Sequence, residues 1–225
     1  MVHFFLSTFT SKYEKFIMKK SNLTGGLIVA IALFFSLSIL PVLLNAQAKQ
    51  TFTDIRDNHV YHYVKIGAQS WMAENLRVNL PAGSWSYNND SVNEKKFGRL
   101  YSWKAAQTAC PKGWHLPSDK EWNVLIQSLG GSNLAGLKMQ MMDTIAGAPG
   151  TAGTPAPGTL SSLLSGVRHP DGSCIGMNFW GGCWSSGKVN DSVGNNVLFA
   201  HGSKDLGVSS NDKNSGFSVR CVRNK

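Results

Sequence analysis

The chain of 225 residues lacks the short motifs that mark the common enzyme classes. It contains no glycine-rich phosphate loop, no G-x-S-x-G and no H-E-x-x-H. It also has no C-x-x-C or H-x-x-x-H pair, which a structural zinc site usually requires. No internal repeat of solenoid length is present. We therefore expect a single domain that is not an enzyme and needs no cofactor.

Charge is also sparse, because only 16% of the residues are charged. The chain has 22 Lys and Arg against 13 Asp and Glu, and residues 1–48 contribute four lysines and one glutamate. Subtraction leaves 18 against 12 for residues 49–225, a net charge of +6. These charges are scattered, whereas a nucleic-acid surface needs clustered Lys and Arg. We expect no nucleic-acid partner.

The longest hydrophobic run lies near the start, at residues 27–44, and no cysteine follows it as an acceptor for a lipid anchor. Lys19 and Lys20 precede the run, and Ala46-Gln47-Ala48 follows as a small-residue cleavage site. The run is also long enough to anchor the chain in a membrane. The cleavage site favours a signal peptide, so we assign 1–48 to an N-terminal extension with signal peptide. Residues 49–225 would then form an extracytoplasmic domain, secreted or on the bacterial cell surface.

Cysteine is scarce, with four residues, all after residue 109. An even number in an exported protein indicates disulfides, although the sequence alone leaves the connectivity open. Cys174 and Cys183 are close in sequence, and we predict that they pair across a hairpin. Cys110 and Cys221 would then form the second disulfide.

Hydrophobic spacing predicts helices in the first half of the domain and strands in the second. Residues 60–66 alternate like a strand after a hairpin turn at Asp57-Asn58. Helices are predicted over 100–108 and 118–129, the second with a capping box of Ser118 and Glu121. Further strands are predicted at 177–186, 196–201 and 216–223. Residues 79–96 and the Ala, Gly, Pro and Thr-rich insert 146–159 are predicted as loops.

The stretch "ACPKGWHLPSDKEW" places several chemically reactive side chains close together. Cys110 and His115 have a spacing that some zinc sites use, but no second ligand pair accompanies them. Asp119 and Glu121 fall in the first turn of the predicted helix, where carboxylates complement the helix dipole. Trp114 and Trp122 are expected in the core, and His115 is expected to bond a backbone group there. We interpret the stretch as structural.

Several aromatic residues lie in polar loops, beside asparagine and aspartate. Exposed aromatic faces with polar neighbours are suited to stacking on sugar rings, although burial in the core is the alternative for most tryptophans. Calcium would need about six to eight converging oxygens, and turn chemistry already accounts for asparagine and aspartate in these loops. We do not predict a calcium site.

Taken in order, five motifs resemble one family. They are "DIRDNHVYHYVKIGAQSWMAENL", "GRLYSWKAAQTACPKGWHLPSDKEW", "HPDGS", "CWSS" and "GFSVRCV". Together they resemble the Fibrobacter succinogenes major paralogous domain family of exported bacterial proteins, over nearly all of residues 52–223. The chain departs from the family in its insert at 146–159 and in "FWGGCWSS", where the family tends to show "WWSS".

The resemblance implies an α+β, C-type-lectin-like domain with two helices, short antiparallel strands and long loops, closed by disulfides. In such folds a disulfide joins the first helix to the last strand, and Cys110 and Cys221 occupy those positions. The calcium-and-sugar triplets of true lectins, E-P-N or Q-P-D followed by W-N-D, are not found here. The resemblance therefore does not imply calcium-dependent sugar binding.

We therefore expect an exported binding module that recognises an extracellular polysaccharide or surface protein through loops at 79–96, 171–184 and 188–214. The predicted contact residues are Trp85, Tyr87, Trp180 and Asn190. A membrane partner follows only if the N-terminal apolar segment stays uncleaved.

Two alternatives remain open. One is a structural or assembly protein of the cell envelope. The other is a cysteine-dependent enzyme on a lectin-like scaffold, which would need free thiols at Cys174 and Cys183.

Overall fold

The computed structural model describes residues 50–146 and 164–225, without the side chains of 140–146. The predicted signal segment at 1–48 lies outside these residues, and so does the predicted loop at 146–159 apart from Ala146, which ends a helix. Within the described ranges the chain is α+β, as predicted, with twelve strands and four helices. No helix in those ranges is long and apolar enough to cross a membrane.

The helices and strands are short. The helices are α1 (Ser91–Phe97), α2 (Trp103–Ala106), α3 (Asp119–Ser128) and α4 (Ser132–Ala146). The strands of the first half are β1 (Thr51–Asp54), β2 (His59–Ile66), β3 (Gln69–Met72), β4 (Ser84–Trp85), β5 (Leu100–Tyr101) and β6 (Trp114–His115). Those of the second half are β7 (Ser165–Arg168), β8 (Cys174–Met177), β9 (Trp180–Lys188), β10 (Val193–Ala200), β11 (Gly207–Asp212) and β12 (Val222–Arg223).

A five-stranded sheet joins the two ends of the domain, in the order β1-β2-β3-β12-β6. The predicted hairpin of β1 and β2 is confirmed, and Asn58 takes the left-handed conformation (φ 57°) that its turn requires. Val222 of β12 lies opposite Trp71 on one side and His115 on the other. The last strand thus lies inside the sheet and holds β3 and β6 together.

The second half contributes a three-stranded antiparallel sheet, β11-β10-β9, and the separate hairpin β7–β8. A bridge between Arg168 and Gly216 connects β7 to the segment before β12. A second bridge, between Cys183 and Ser218, connects β9 to the same segment. Residues 216–218 therefore form backbone bridges both to the β7–β8 hairpin and to the β11-β10-β9 sheet. Of the strand predicted at 216–223, only its end forms regular strand.

Helix α3 begins with the predicted capping box, which the structure confirms. Ser118 accepts from the N–H of Glu121, and the Glu121 carboxylate accepts from the N–H of Ser118. The helix buries Trp122 completely, and the Trp122 ring lies 4.7 Å from that of Trp71. Burying a large apolar side chain contributes roughly 1.5–3 kcal/mol. The apolar face of α3 thus packs against the five-stranded sheet and also against β9 and β10.

Three elements differ from the predicted pattern. Residues 100–108 form a short strand, β5, before the single-turn helix α2. Residues 79–96 contain β4 and most of α1, whose N-cap Asp90 accepts from the N–H of Val92 at 2.8 Å. Helix α4 was not predicted, and Gly136 lies inside it. A Cβ at Gly136 would come within 2.6 Å of the carbonyl oxygen of Asp205, so a tertiary contact requires glycine there.

The predicted disulfide between Cys110 and Cys221 is present, and it closes a span of 111 residues. The predicted disulfide between Cys174 and Cys183 is wrong, because both thiols are free. Cys174 lies opposite Arg168 in the β7–β8 hairpin, whereas Cys183 lies opposite Val197 in another sheet. The two cysteines therefore do not face each other across a hairpin.

Candidate binding cleft

Trp180 is the most exposed tryptophan of the described residues, at 54%. It follows the turn between β8 and β9, which backbone hydrogen bonds hold in place. The N–H of Phe179 donates to the carbonyl of Gly176 at 2.9 Å, and the N–H of His201 donates to the carbonyl of Phe179 at 2.7 Å. The backbone that presents Trp180 is therefore fixed on both sides.

The indole of Trp180 packs over the backbone of Gly176. A Cβ at Gly176 would lie 3.3 Å from the Cβ of Trp180 and 3.4 Å from its Cγ. Gly176 also has φ 77°, which favours glycine. The side chain of Trp180 thus contacts the Gly176 backbone, while more than half of the residue remains exposed to solvent. Such a supported aromatic surface loses little conformational freedom when a ligand stacks on it.

A cleft of about 390 Å³ lies beside Trp180, within the range of pockets that hold small ligands. Strands β7, β9 and β10 and the segment leading to β11 supply its walls. Its main lining residues are Val167, Trp180, Leu198, Phe199, Ser203 and Asp205. Asp205 is the only ionisable residue in the lining, and it has no salt bridge within the described residues. The described lining of the cleft is therefore mostly apolar and includes two polar residues, Ser203 and the acidic Asp205.

Exposed apolar side chains surround the cleft. Phe179 is 65% exposed, and Ile175 and Leu198 are each 39% exposed. Single exposed apolar residues are common on soluble proteins, but several close together mark a contact surface. Ile175 lies in β8, Phe179 in the β8–β9 turn, and Leu198 in β10, while Trp180 begins β9.

Trp85 lies on the other side of β7 from the cleft. The guanidinium of Arg168 stacks on its ring, 4.1 Å from the ring centroid. Val167 lines the cleft, and successive side chains of a strand point to opposite faces. The structure therefore does not bring Trp85 and Trp180 together, although both were predicted as contacts of one surface.

The two other predicted contact residues, Tyr87 and Asn190, make contacts within the domain itself. Tyr87 is buried, and Gly166 (φ 69°) approaches it so closely that a Cβ would lie 2.4 Å from its ring. Asn190 is exposed, but its side-chain oxygen accepts from the N–H groups of Ser192 and Val193 at 2.9 and 2.8 Å. Of the four predicted contact residues, Trp180 alone lines the cleft.

The stretch that begins at Cys110 has the structural character that we predicted, except at one residue. Trp114 and Trp122 are both buried. His115 was expected to bond a backbone group in the core, which is wrong. Its Nδ1 lies 2.6 Å from the side-chain oxygen of Asn224, and its Nε2 lies 2.8 Å from the Glu121 carboxylate. His115 therefore extends the capping box toward the C-terminal segment. Among the described residues, no group of three His, Cys, Asp or Glu is placed to hold a metal.

Val167 lies outside the segments predicted to bind, whereas Leu198 and Asp205 fall within the predicted segment 188–214 but were not among the predicted contact residues. Leu198 lies in the apolar run "VLFA", where Val197 and Phe199 are buried and only the middle residue faces outward. The alternation of side chains along a strand could have predicted that Leu198 points outward. No local signal marks Asp205, because its place in the cleft depends on how the segment before β11 folds back.

Comparison with known proteins gives one match. The family model of the Fibrobacter succinogenes major domain matches residues 64–223. No curated protein and no solved structure matches the chain.

Proposed function

The chain belongs to the family of the Fibrobacter succinogenes major domain, and we propose that it is an exported, non-enzymatic module that binds an extracellular polysaccharide or surface protein. The observation that carries this proposal is Trp180, which is supported by Gly176 and exposed beside an apolar cleft. An exposed, rigidly held tryptophan next to a pocket is suited to binding and costs solubility if it has no partner.

The disulfide between Cys110 and Cys221 indicates an oxidising, extracytoplasmic environment. It supports the part of the proposal that concerns export, with residues 1–48 acting as a cleaved signal. It also supports a C-type-lectin-like arrangement, because it joins the segment after α2 to the segment before β12. In that arrangement the loops vary on a scaffold closed by the disulfide.

Both thiols are free, as the alternative of a cysteine-dependent enzyme requires, but their surroundings disfavour that chemistry and support a non-enzymatic role. Cys183 is completely buried, and burial raises the pKa of its thiol to about 11. A thiol nucleophile reacts as the thiolate, which a raised pKa disfavours. Cys174 lies in a different sheet from Cys183, so the two do not form the close pair that a cysteine-dependent oxidation would use.

The test is binding of the purified protein to arrays of plant and bacterial polysaccharides, with calcium and again with a chelator. We expect binding that survives chelation and that falls at least about tenfold in Trp180→Ala, since central aromatic contacts carry much of the binding energy. Trp85→Ala is the matched control, because Trp85 lies on the opposite side of β7. Thermal unfolding of both variants checks that the fold is intact.

Other outcomes would change the proposal. Equal loss in the two variants would mean that Trp180 does not form the site. Binding lost on chelation would indicate a calcium site that we do not predict. Binding to no polysaccharide, together with concentration-dependent oligomers in sedimentation, would favour the alternative of an envelope assembly protein.

A further inference from the structure

We infer that the sugar unit that enters the Trp180 cleft is uncharged, so that the module selects neutral polysaccharides over acidic ones. This inference rests on the proposed function and narrows its ligand from polysaccharides and proteins to one chemical class. Three properties of the cleft carry it: its size, the division of its walls into apolar and polar parts, and its charge.

The size of the cleft favours a sugar over a protein surface. A volume of about 390 Å³ is that of a pocket for a small ligand. A stable protein interface, in contrast, covers about 800 Å² of each partner and includes a buried core surrounded by a polar rim. Besides Trp180, the exposed apolar residues named near the cleft are Ile175, Phe179 and Leu198, whereas a standard protein interface uses roughly 20 to 30 residues on each side.

The walls match the two kinds of surface on a sugar ring. A pyranose has a face of C–H groups, which can stack on the indole of Trp180 and contact Val167. Its hydroxyl groups are donors, and the carboxylate of Asp205 can accept from them. Hydrogen bonds to an ionised acceptor are about twice as strong as those between neutral groups. One stacking surface and one acceptor thus suffice to orient an uncharged ring.

The charge of the cleft opposes acidic sugars. Of the described residues that line the cleft, Asp205 alone is ionisable, so a uronate or sulfate bound there would meet a like charge and no cation from those residues. The nearest arginine along β7 is Arg168, whose guanidinium stacks on Trp85 on the opposite side of the strand. Two like charges a few ångströms apart repel more strongly in a partly solvated site than in bulk water. We therefore expect about a tenfold preference for the neutral ligand, which corresponds to about 1.4 kcal/mol.

Two pairs of polymers test the inference, because the members of each pair share a backbone and differ in charge. One pair is fully methyl-esterified and de-esterified homogalacturonan, and the other is hydroxyethyl cellulose and carboxymethyl cellulose. In at least one pair we expect the neutral polymer to bind about tenfold more tightly at low ionic strength. The preference should shrink as salt is added, because salt screens the repulsion.

Asp205→Asn should remove most of the preference by strengthening binding of the acidic polymer. Asp191→Asn is the matched control, since its side chain is fully exposed and lies outside the cleft. Equal binding of both members of a pair by the unaltered protein would refute charge selection and leave the proposed function standing. A preference that persists in Asp205→Asn would also refute it. Absence of binding to every polymer would overturn this inference, while the proposed function would still be decided by the wider array and by a search for a protein ligand.

Discussion

Removing the disulfide between Cys110 and Cys221 should cost more stability than any other change to the cysteines. The bond closes a span of 111 residues, and the chain-entropy relation for a loop of that length gives about 4.8 kcal/mol at room temperature. A domain of this size has a total stability of about 5 to 15 kcal/mol. The double variant Cys110→Ala, Cys221→Ala should therefore lose between about a third and nearly all of the stability of the domain.

Urea unfolding followed by tryptophan fluorescence measures this loss, because Trp71, Trp122 and Trp184 are fully buried. The oxidised protein, the reduced protein and the double alanine variant are compared under the same conditions. Cys174→Ser is the control, since this thiol is free and only partly buried, and it should stay within about 1 kcal/mol of the unaltered protein. A loss below about 1 kcal/mol in the double variant would refute the loop-closure reasoning.

Three further predictions concern local contacts. Ser118→Ala removes the capping hydrogen bond of α3 and should lower the free energy of unfolding by about 1 kcal/mol in the same urea assay. An unchanged midpoint of the urea transition would contradict the role of the cap. A thiol reagent should modify Cys174 in the native protein and Cys183 only after unfolding, because Cys183 is buried and burial raises the pKa of its thiol to about 11. Labelling of both thiols in the native protein would contradict this prediction. Burial alone would raise the pKa of Asp54, but hydrogen bonds from Arg56 and its charge lower that pKa below the ordinary value. The stability from ionised Asp54 is therefore present above about pH 4 and is lost as the pH falls through the folded-state pKa. Asp54→Asn should flatten this acid limb of the stability profile, and a limb unchanged in the variant would show that other carboxyls cause it.

The parts of the fold that were predicted correctly depend on neighbours in sequence. The capping box of Ser118 and Glu121 and the turn at Asp57-Asn58 are each complete within a few residues, so the sequence contains the whole signal. The long disulfide was predicted in two ways, by elimination and from the family resemblance. Elimination started from a pair of Cys174 and Cys183 that does not form, because closeness in sequence does not show which strands pair.

The parts that were missed depend on contacts between distant segments. Gly136 lowers the helical propensity of its segment, and only the approach of the Asp205 backbone explains why glycine stands there. Tyr87 lies in a polar stretch that predicts a loop, yet it is buried because Gly166 allows β7 to approach its ring. Of the site, Trp180 could be predicted from its type and context, whereas its partners across the cleft come from strands that the sequence does not place side by side.

The position of β12 has a consequence for how the protein is made. This strand is the last of the domain to be synthesised, yet Val222 pairs with both β3 and β6 in the interior of the five-stranded sheet. The sheet cannot close while the ribosome is still adding those residues, so the chain stays incompletely folded until translation has passed them. For the export that we propose, a chain in that condition can still be threaded through a narrow channel. A product truncated before Cys221 would also lack β12, so proteases would meet no closed sheet to resist them.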